Sequence, residues 1–239
     1  MSNIQSMWIG DRLSTMEKLC MKSFLANGHE FHLYLYEPVE GMPEGVVVKD
    51  ANEILPKAVI EKFNYIAQFS DHFRYKLVHM RGGWWVDMDI VCLRPFDFKE
   101  ETVVSGAGGC IHNSPFKAPV GSPWLGYALD KIEALRYNWK QLLWDGIGGP
   151  LLTEAAKRWP VHPVDQYLFD PFQDSSGYQR YVDAEPPSIP ASAYSIHLHH
   201  SCWVLGLGGQ PHLDPDATYP STSLYEQLKA RFYEHRMAQ

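Results

Sequence analysis

The chain has 239 residues, of which 45% are hydrophobic and 21% are charged, and its formal net charge is −7. We expect a single globular domain over residues 1–239, because this length and composition are typical of one. The acidic balance excludes a basic nucleic-acid surface, so we expect no nucleic-acid partner. We also expect no transmembrane segment and no signal peptide, since no apolar run reaches about 18 residues.

The cysteines give no sign of a disulfide framework or a metal motif. They are four in number and widely spaced in the chain: Cys20, Cys92, Cys110 and Cys202. We therefore expect reduced, mostly packed thiols and a cytoplasmic protein, either free or at the inner face of the membrane. The sequence makes no prediction about the oligomeric state.

The first half of the chain alternates strand and helix patterns. Ser14 and Glu17 form a capping box that opens a helix, and Asn27 with Gly28 ends it. The remaining predicted elements are strands at 4–10, 31–36 and 46–49 and helices at 57–66 and 69–80. This alternation predicts an α/β fold with a doubly wound, Rossmann-like sheet flanked by helices.

The second half is less regular, because prolines and glycines interrupt it from about residue 160 to 220. After a strand at 102–105, a glycine-rich connection leads through residues 111–123. The other predicted elements are helices at 124–143, 150–158 and 225–237 and a strand at 193–198.

Two acids follow an apolar, aromatic run in GGWWVDMDI, residues 82–90. We predict a strand here, which would place Asp87 and Asp89 on one side with about 6–7 Å between their carboxylates. At that distance the charges repel by about 2–3 kcal/mol, and a divalent cation would compensate. The alternative is that both acids lie in a solvated turn. Since ligands bind beyond the carboxyl ends of parallel strands, Trp8 should face the same crevice as the two acids.

The segment 69–89, FSDHFRYKLVHMRGGWWVDMD, resembles the glycosyltransferases of family 32, which carry a sugar-binding Asp-x-Asp motif. The matching residues are Ser70, Asp71, Arg74, Tyr75, Gly82, Gly83, Asp87 and Asp89, with Trp85 where tyrosine is usual. That family includes bacterial capsular and lipopolysaccharide sugar transferases and yeast mannosyltransferases, and it is distantly related to the glucosylating bacterial toxins. The resemblance implies a GT-A type single domain with a mixed sheet. In it, residues 1–105 bind the nucleotide sugar, and residues 106–239 form an irregular acceptor-side half.

The resemblance also implies roles for individual residues. Asp71 and Arg74 would hold hydroxyls of the donor sugar, although on a helix surface they would be only a weak ion pair. Trp8 would stack on the nucleotide base, the alternative being an ordinary core residue. The full set of implied donor-binding residues is Trp8, Ile9, Tyr75, Gly83, Asn113, Ser201 and Trp203.

The motif HLHHSCW, residues 197–203, matches the place where the family carries a histidine metal ligand before a serine and a tryptophan. His197 matches the family's histidine best by its spacing to Trp203, but His199 remains a candidate for the metal ligand. The alternative is that one or both are half-exposed strand residues. Asp89 would ligate Mn²⁺ or Mg²⁺ directly, and Asp87 would reach the ribose and a metal-bound water. Ser201 and Trp203 would contact the diphosphate.

The function implied by the resemblance is retaining transfer of a hexose from a nucleotide diphosphate sugar, UDP-linked, to a hydroxyl of a glycan or lipid-linked sugar. Two alternatives belong to other classes: a metal-dependent phosphohydrolase or nucleotidyltransferase, and a non-catalytic binding module. Within the transferases, the alternative is a toxin-like protein glycosyltransferase. Release of sugar-1-phosphate instead of nucleotide diphosphate would indicate the first of these.

Overall fold

The fold is described from a computed structural model, which covers residues 3–135, 139–143, 146–159, 161–172, 177–206 and 211–233. Its strands are β1 Ile4–Trp8, β2 Phe31–Leu35, β3 Val46–Asp50, β4 Gly83–Trp85, β5 Ile90–Cys92, β6 Val103–Ala107, β7 Cys110–Ala118, β8 Val164–Asp165 and β9 Ser195–His197. Its helices are α1 Thr15–Ala26, α2 Ile66–Arg81, α3 Pro123–Ala134, α4 Gly149–Ala156, α5 His200–Leu205 and α6 Leu224–Leu228.

Seven strands form the main sheet, in the order β3-β2-β1-β4-β7-β6-β8. The strands β3, β2, β1 and β4 run parallel to one another, whereas β7 is antiparallel to both β4 and β6. A mixed sheet with helices packed on it confirms the predicted α/β fold class. The change of direction beside β4 leaves the carboxyl ends of β1 and β4 at an open edge of the sheet, where α/β proteins bind ligands.

Helix boundaries follow the local signals where those signals are strong. The capping box is present in α1, because the Ser14 hydroxyl accepts from the Met16 N–H and the Glu17 carboxylate accepts from the Ser14 N–H. Helix α2 ends at Gly82, whose φ of 67° is in the left-handed region that favours glycine. In the part of the chain that the structure describes, no helix has the length and hydropathy of a membrane span.

Several predicted elements differ from the structure. Residues 57–62 form a 3₁₀ helix that ends before 66, and 111–123 contains strand β7 although it was predicted as a connection. The closing helix begins at Leu224 and becomes a π-helix over Lys229–Tyr233. The predicted positions 234–237 lie outside the described residues.

The most consequential correction concerns residues 82–90, which do not form one strand. β4 ends at Trp85 and β5 begins at Ile90, and the chain turns between them, with the Ile90 N–H donating to the Asp87 carbonyl at 3.2 Å. β5 leaves the main sheet and pairs with β9 in a separate antiparallel ribbon. Asp87 and Asp89 therefore lie in a turn, as the alternative prediction had it, but that turn is largely enclosed.

Two tryptophans of β4 anchor this turn from opposite faces of the main sheet. Trp84 packs against Phe96 and Phe169 on the face covered by α1. Trp85 packs against Phe73 of α2 on the other face. Both side chains are almost fully buried. Each contributes roughly 3 kcal/mol or more of burial free energy, so the turn that follows begins from a rigid point.

Candidate functional site

A crevice of about 560 Å³ opens at the carboxyl ends of β1 and β4. Of the residues predicted from the sequence, it is lined by Trp8, Ile9, Arg74, Asp87, Asp89, His197, His199 and Ser201. The tryptophan that ends β1 and the two acids that follow β4 thus share one crevice. The two histidines reach it from β9 and the residues after it, because β9 pairs with β5 directly beyond the acidic turn.

Asp87 is fixed by three neighbours before any ligand is considered. Arg74 contacts Asp87 through the two terminal nitrogens of its guanidinium, with Nη2 at 3.1 Å from Oδ1 and Nη1 at 3.4 Å from Oδ2. The indole N–H of Trp85 donates to Oδ1 at 2.9 Å, and the Asp87 backbone N–H donates to the Ser114 hydroxyl at 2.9 Å. A carboxylate held in this way loses little further freedom when it binds a ligand.

Asp89 forms an ion pair with His197, whose Nε2 lies 3.1 Å from Oδ1, while the His200 N–H donates to Oδ2 at 2.8 Å. Burial acts to raise the pKa of Asp89, but His197, His199 and the His200 N–H hold this pKa well below its usual range. Burial likewise acts to lower the pKa of His197, but Asp89 raises it to about 9. The pair is therefore charged on both sides near neutral pH.

The donor set suits a divalent cation. One ligand atom each from Asp87, Asp89 and His197 lie within 4.8 Å of one another, closer than the spacing expected from a strand. Two carboxylates and one imidazole match the preferences of Mn²⁺ and, with more water, Mg²⁺. Asp89 is 14% exposed and Asp87 27% exposed, so an ion could reach both from the crevice. His197, not His199, is the histidine that this arrangement brings to the two acids.

Asp71 lies behind Arg74 and is not among the residues that line the crevice, so its contact with the donor sugar stays a prediction. Arg74 Nε is 3.4 Å from Asp71 Oδ1, and the side-chain amide of Asn113 donates to the same oxygen at 2.7 Å. Arg74 also donates to the Asn113 carbonyl at 3.0 Å. Burial raises the pKa of Asp71 to about 7, against the opposing effect of Arg74. Asp71 and Asn113 therefore position Arg74, which in turn positions Asp87.

Trp8 forms part of the crevice wall. Its indole N–H donates to the Arg12 carbonyl at 3.0 Å, and its edge meets the ring of His200 at a centroid distance of 6.3 Å. The Trp8 side chain is only partly buried. Ile9 and Ser201 line the same space.

Besides Asn113, three predicted donor-binding residues lie outside the crevice. Tyr75 is fully buried and donates to the Ile147 carbonyl at 3.0 Å, so it is a core residue. Trp203 is also fully buried, because α5 turns it against Tyr181 and Tyr225. Gly83 lies at the amino end of β4 with a φ of 88°, where a side chain would approach the Asn3 carbonyl to 3.1 Å. Its role is backbone geometry.

The structure adds Glu17, Asp170 and His200 to the region of the site. Glu17 Oε1 is 3.6 Å from His200 Nε2, and Asp170 Oδ2 is 2.9 Å from His199 Nε2. In the sequence, Glu17 is accounted for by the capping box with Ser14, so nothing there marks it as a site residue. Asp170 follows a phenylalanine and precedes a proline in an irregular stretch, so no motif or periodicity indicates it.

Comparisons with known proteins add information about the fold. No family model matches the chain, and no curated protein matches it in sequence. Among solved structures, the chain is similar to one described as PaToxG Glycosyltransferase, with a TM-score of 0.55 and 16% sequence identity over 97% of this chain and 86% of that chain. At this identity the likeness concerns the fold alone, and membership of family 32 stays a prediction. The chain thus has an α/β fold that a glycosyltransferase also adopts.

Proposed function

We propose that this protein is a metal-dependent glycosyltransferase that moves a hexose from a nucleotide diphosphate sugar, UDP-linked, to a hydroxyl of a glycan or lipid-linked sugar, in the cytoplasm or at the inner face of the membrane. One observation carries the proposal: Asp87, Asp89 and His197 converge within 4.8 Å in a crevice that Trp8 also lines. A similar fold in a glycosyltransferase supports it. We further propose one domain, with residues 1–105 binding the donor and residues 106–239 supplying the acceptor side and His197.

The nucleotide would enter beside Trp8. Stacking of an aromatic ring on a base is worth roughly 1–3 kcal/mol. The indole N–H of Trp8 is already occupied by the Arg12 carbonyl, which holds the ring plane before the donor arrives. Ile9 and Ser201 border the same space and would contact the ribose and the diphosphate.

The diphosphate would lie over the acidic turn, where Asp89 and His197 would hold Mn²⁺ or Mg²⁺ and Asp87 would reach the ribose and a metal-bound water. When bound, the cation supplies positive charge that stabilises the departing diphosphate. The chain's own contribution is preorganisation. Arg74 and Trp85 fix Asp87, and the His200 N–H fixes Asp89, so that these groups need not reorganise during the reaction.

In the transfer, the bond between the anomeric carbon and the diphosphate oxygen breaks and a bond to the acceptor oxygen forms. The acceptor hydroxyl loses its proton. Retention of configuration, which the resemblance to family 32 implies, requires attack from the face that the diphosphate leaves. The departing phosphate oxygen can then accept that proton, because attack on that face brings the two groups together.

The test begins with a thermal-shift screen of nucleotide sugars in the presence of Mn²⁺, followed by chromatography of the products formed with the best binder. We expect free nucleotide diphosphate to appear only when the cation is present. Free sugar-1-phosphate would instead indicate a phosphohydrolase. If no nucleotide sugar raises the unfolding temperature, the proposal fails.

A matched pair of variants separates the site from general effects of charge. Asp89→Asn should lower turnover by about 100-fold or more, because it removes the carboxylate nearest His197. Asp130→Asn makes the same chemical change at an exposed position of α3 and should retain wild-type turnover. Equal turnover in the two variants would contradict the role given to Asp89.

A further inference from the structure

A second cluster of ligating groups lies beside the acidic turn, and two of its three residues, Asp170 and His199, are not used by the proposed transfer reaction. Asp170, His197 and His199 each offer one ligand atom, and these atoms lie within 4.8 Å of one another. His199 Nε2 is 2.9 Å from Asp170 Oδ2. The rings of His197 and His199 lie side by side, with centroids 3.9 Å apart and planes 17° from parallel.

The backbone at His199 makes this arrangement possible. β9 ends at His197, and His199 adopts a left-handed conformation, with φ 57° and ψ 58°. Among the described residues, His199 is the one non-glycine residue with positive φ. Such a conformation costs about 1–2 kcal/mol in a residue with a side chain. It brings two imidazoles into stacking contact although the strand has already ended.

Asp170 contributes to the cluster a buried carboxylate with one unpaired oxygen. Its side chain is 8% exposed. Within the described ranges, its Oδ1 is buried with no hydrogen-bond partner. Removal of a carboxylate from water costs several kcal/mol unless charge and hydrogen bonds replace the water. The imidazole of His199 satisfies only one of the two oxygens, so the second is available to a ligand that brings positive charge.

We propose that Asp170, His197 and His199 form a Zn²⁺ site distinct from the site at Asp87 and Asp89. The two sets differ in donor chemistry. Two imidazoles and one carboxylate suit Zn²⁺, which takes nitrogen ligands readily and leaves a fourth position open when the protein supplies three. Two carboxylates and one imidazole suit the harder Mn²⁺ and Mg²⁺.

His197 belongs to both sets, which links the two sites. Zn²⁺ bound to Asp170 and His199 draws His197 away from Asp89 and places a second divalent charge near the acidic turn. Zn²⁺ therefore weakens binding of Mn²⁺ at the acidic turn. This consequence concerns metal binding and is independent of the proposed sugar transfer.

Calorimetric titration of the EDTA-treated protein with Zn²⁺ tests the site directly. We expect one ion per chain, with affinity lowered about tenfold or more in both Asp170→Asn and His199→Gln. Asp87→Asn should change the Zn²⁺ affinity by a clearly smaller factor, because Asp87 is close to the shared His197 but is a ligand of the other set only. Thermal unfolding in EDTA shows whether each variant remains folded.

Wild-type Zn²⁺ affinity in both Asp170→Asn and His199→Gln would overturn the proposal. So would a loss in Asp87→Asn equal to that in Asp170→Asn, since the two sets would then not be separate. A second measurement needs no variant: anomalous diffraction at the zinc edge from crystals soaked in Zn²⁺. The expected peak lies about 2.0–2.2 Å from an Asp170 oxygen and from an imidazole nitrogen of His199. A peak between Asp87 and Asp89 alone would refute the site.

Discussion

The ion pair between Asp89 and His197 predicts that cation binding at the acidic turn depends steeply on pH. The pKa of His197 is raised to about 9 because, although burial opposes the shift, Asp89 favours the imidazolium. A metal ligand must be the neutral imidazole, so a proton and the cation compete for His197. Raising the pH should therefore strengthen binding of Mn²⁺, while Asp89 remains ionised throughout.

The magnitude follows from that pKa. The fraction of neutral His197 in the metal-free protein rises about tenfold for each pH unit below about 9, so the dissociation constant for Mn²⁺ should fall roughly 100-fold between about pH 6 and about pH 8. Binding should also release close to one proton per ion over this range. A histidine with an ordinary pKa would change the affinity only about fourfold over the same interval.

The assay is anaerobic calorimetric titration with Mn²⁺ at several pH values, repeated in buffers of different ionisation enthalpy to count the protons released. The variant His197→Asn keeps a polar side chain but cannot titrate, so its affinity should be lower and nearly independent of pH. A flat pH profile in the wild type, or no proton release at about pH 7, would refute the assignment of His197 as a ligand that the cation must deprotonate.

Three further predictions concern the crevice and its support. Trp8→Ala should weaken donor binding by about 1–3 kcal/mol and leave the unfolding temperature unchanged, with Trp8→Phe recovering most of the affinity; unfolding of the alanine variant would indicate a core role. Arg74→Met should lower the free energy of unfolding by about 3–5 kcal/mol in denaturant titration, because two acids lose their cation; a change below about 1 kcal/mol would contradict this role. The pKa of Asp71 is raised to about 7 in the folded protein, so its protonation contributes stability below about pH 4 that is lost as pH rises through about 7. Asp71→Asn should therefore reduce the fall in unfolding temperature between about pH 4 and pH 7, and an unchanged slope would assign that fall to other groups.

Local signals were sufficient for the elements that depend on neighbouring residues. The capping box at Ser14 and Glu17 places the start of α1 correctly, and the glycine after Arg81 places the end of α2. The pairing of β7 depends on β4 and β6, which are its partners, and not on its own sequence. Its proline and the glycines before it favour a connection, and only the sheet makes it a strand.

Only part of the candidate site could be predicted, because the rest of it also depends on distant partners in the fold. The two acids separated by one residue are a recognisable motif in the sequence. The apolar pattern around them, however, cannot show that the chain turns between Trp85 and Ile90. Tyr75 and Trp203 match the family pattern in identity, whereas their burial is decided by packing from other elements. Asp170 carries no local signal, because its importance comes from His199 across the fold.

The pairing of the β5 ribbon with β9 has a consequence for biosynthesis. Asp89 receives its backbone hydrogen bond from His200, a partner 111 positions further along the chain. A nascent chain that ends after α3 contains β1 and β4 and both acids of the turn, but it lacks His197 and the His200 N–H. The complete set of cation ligands therefore forms only after residues 197–200 have been synthesised and β9 has paired with β5.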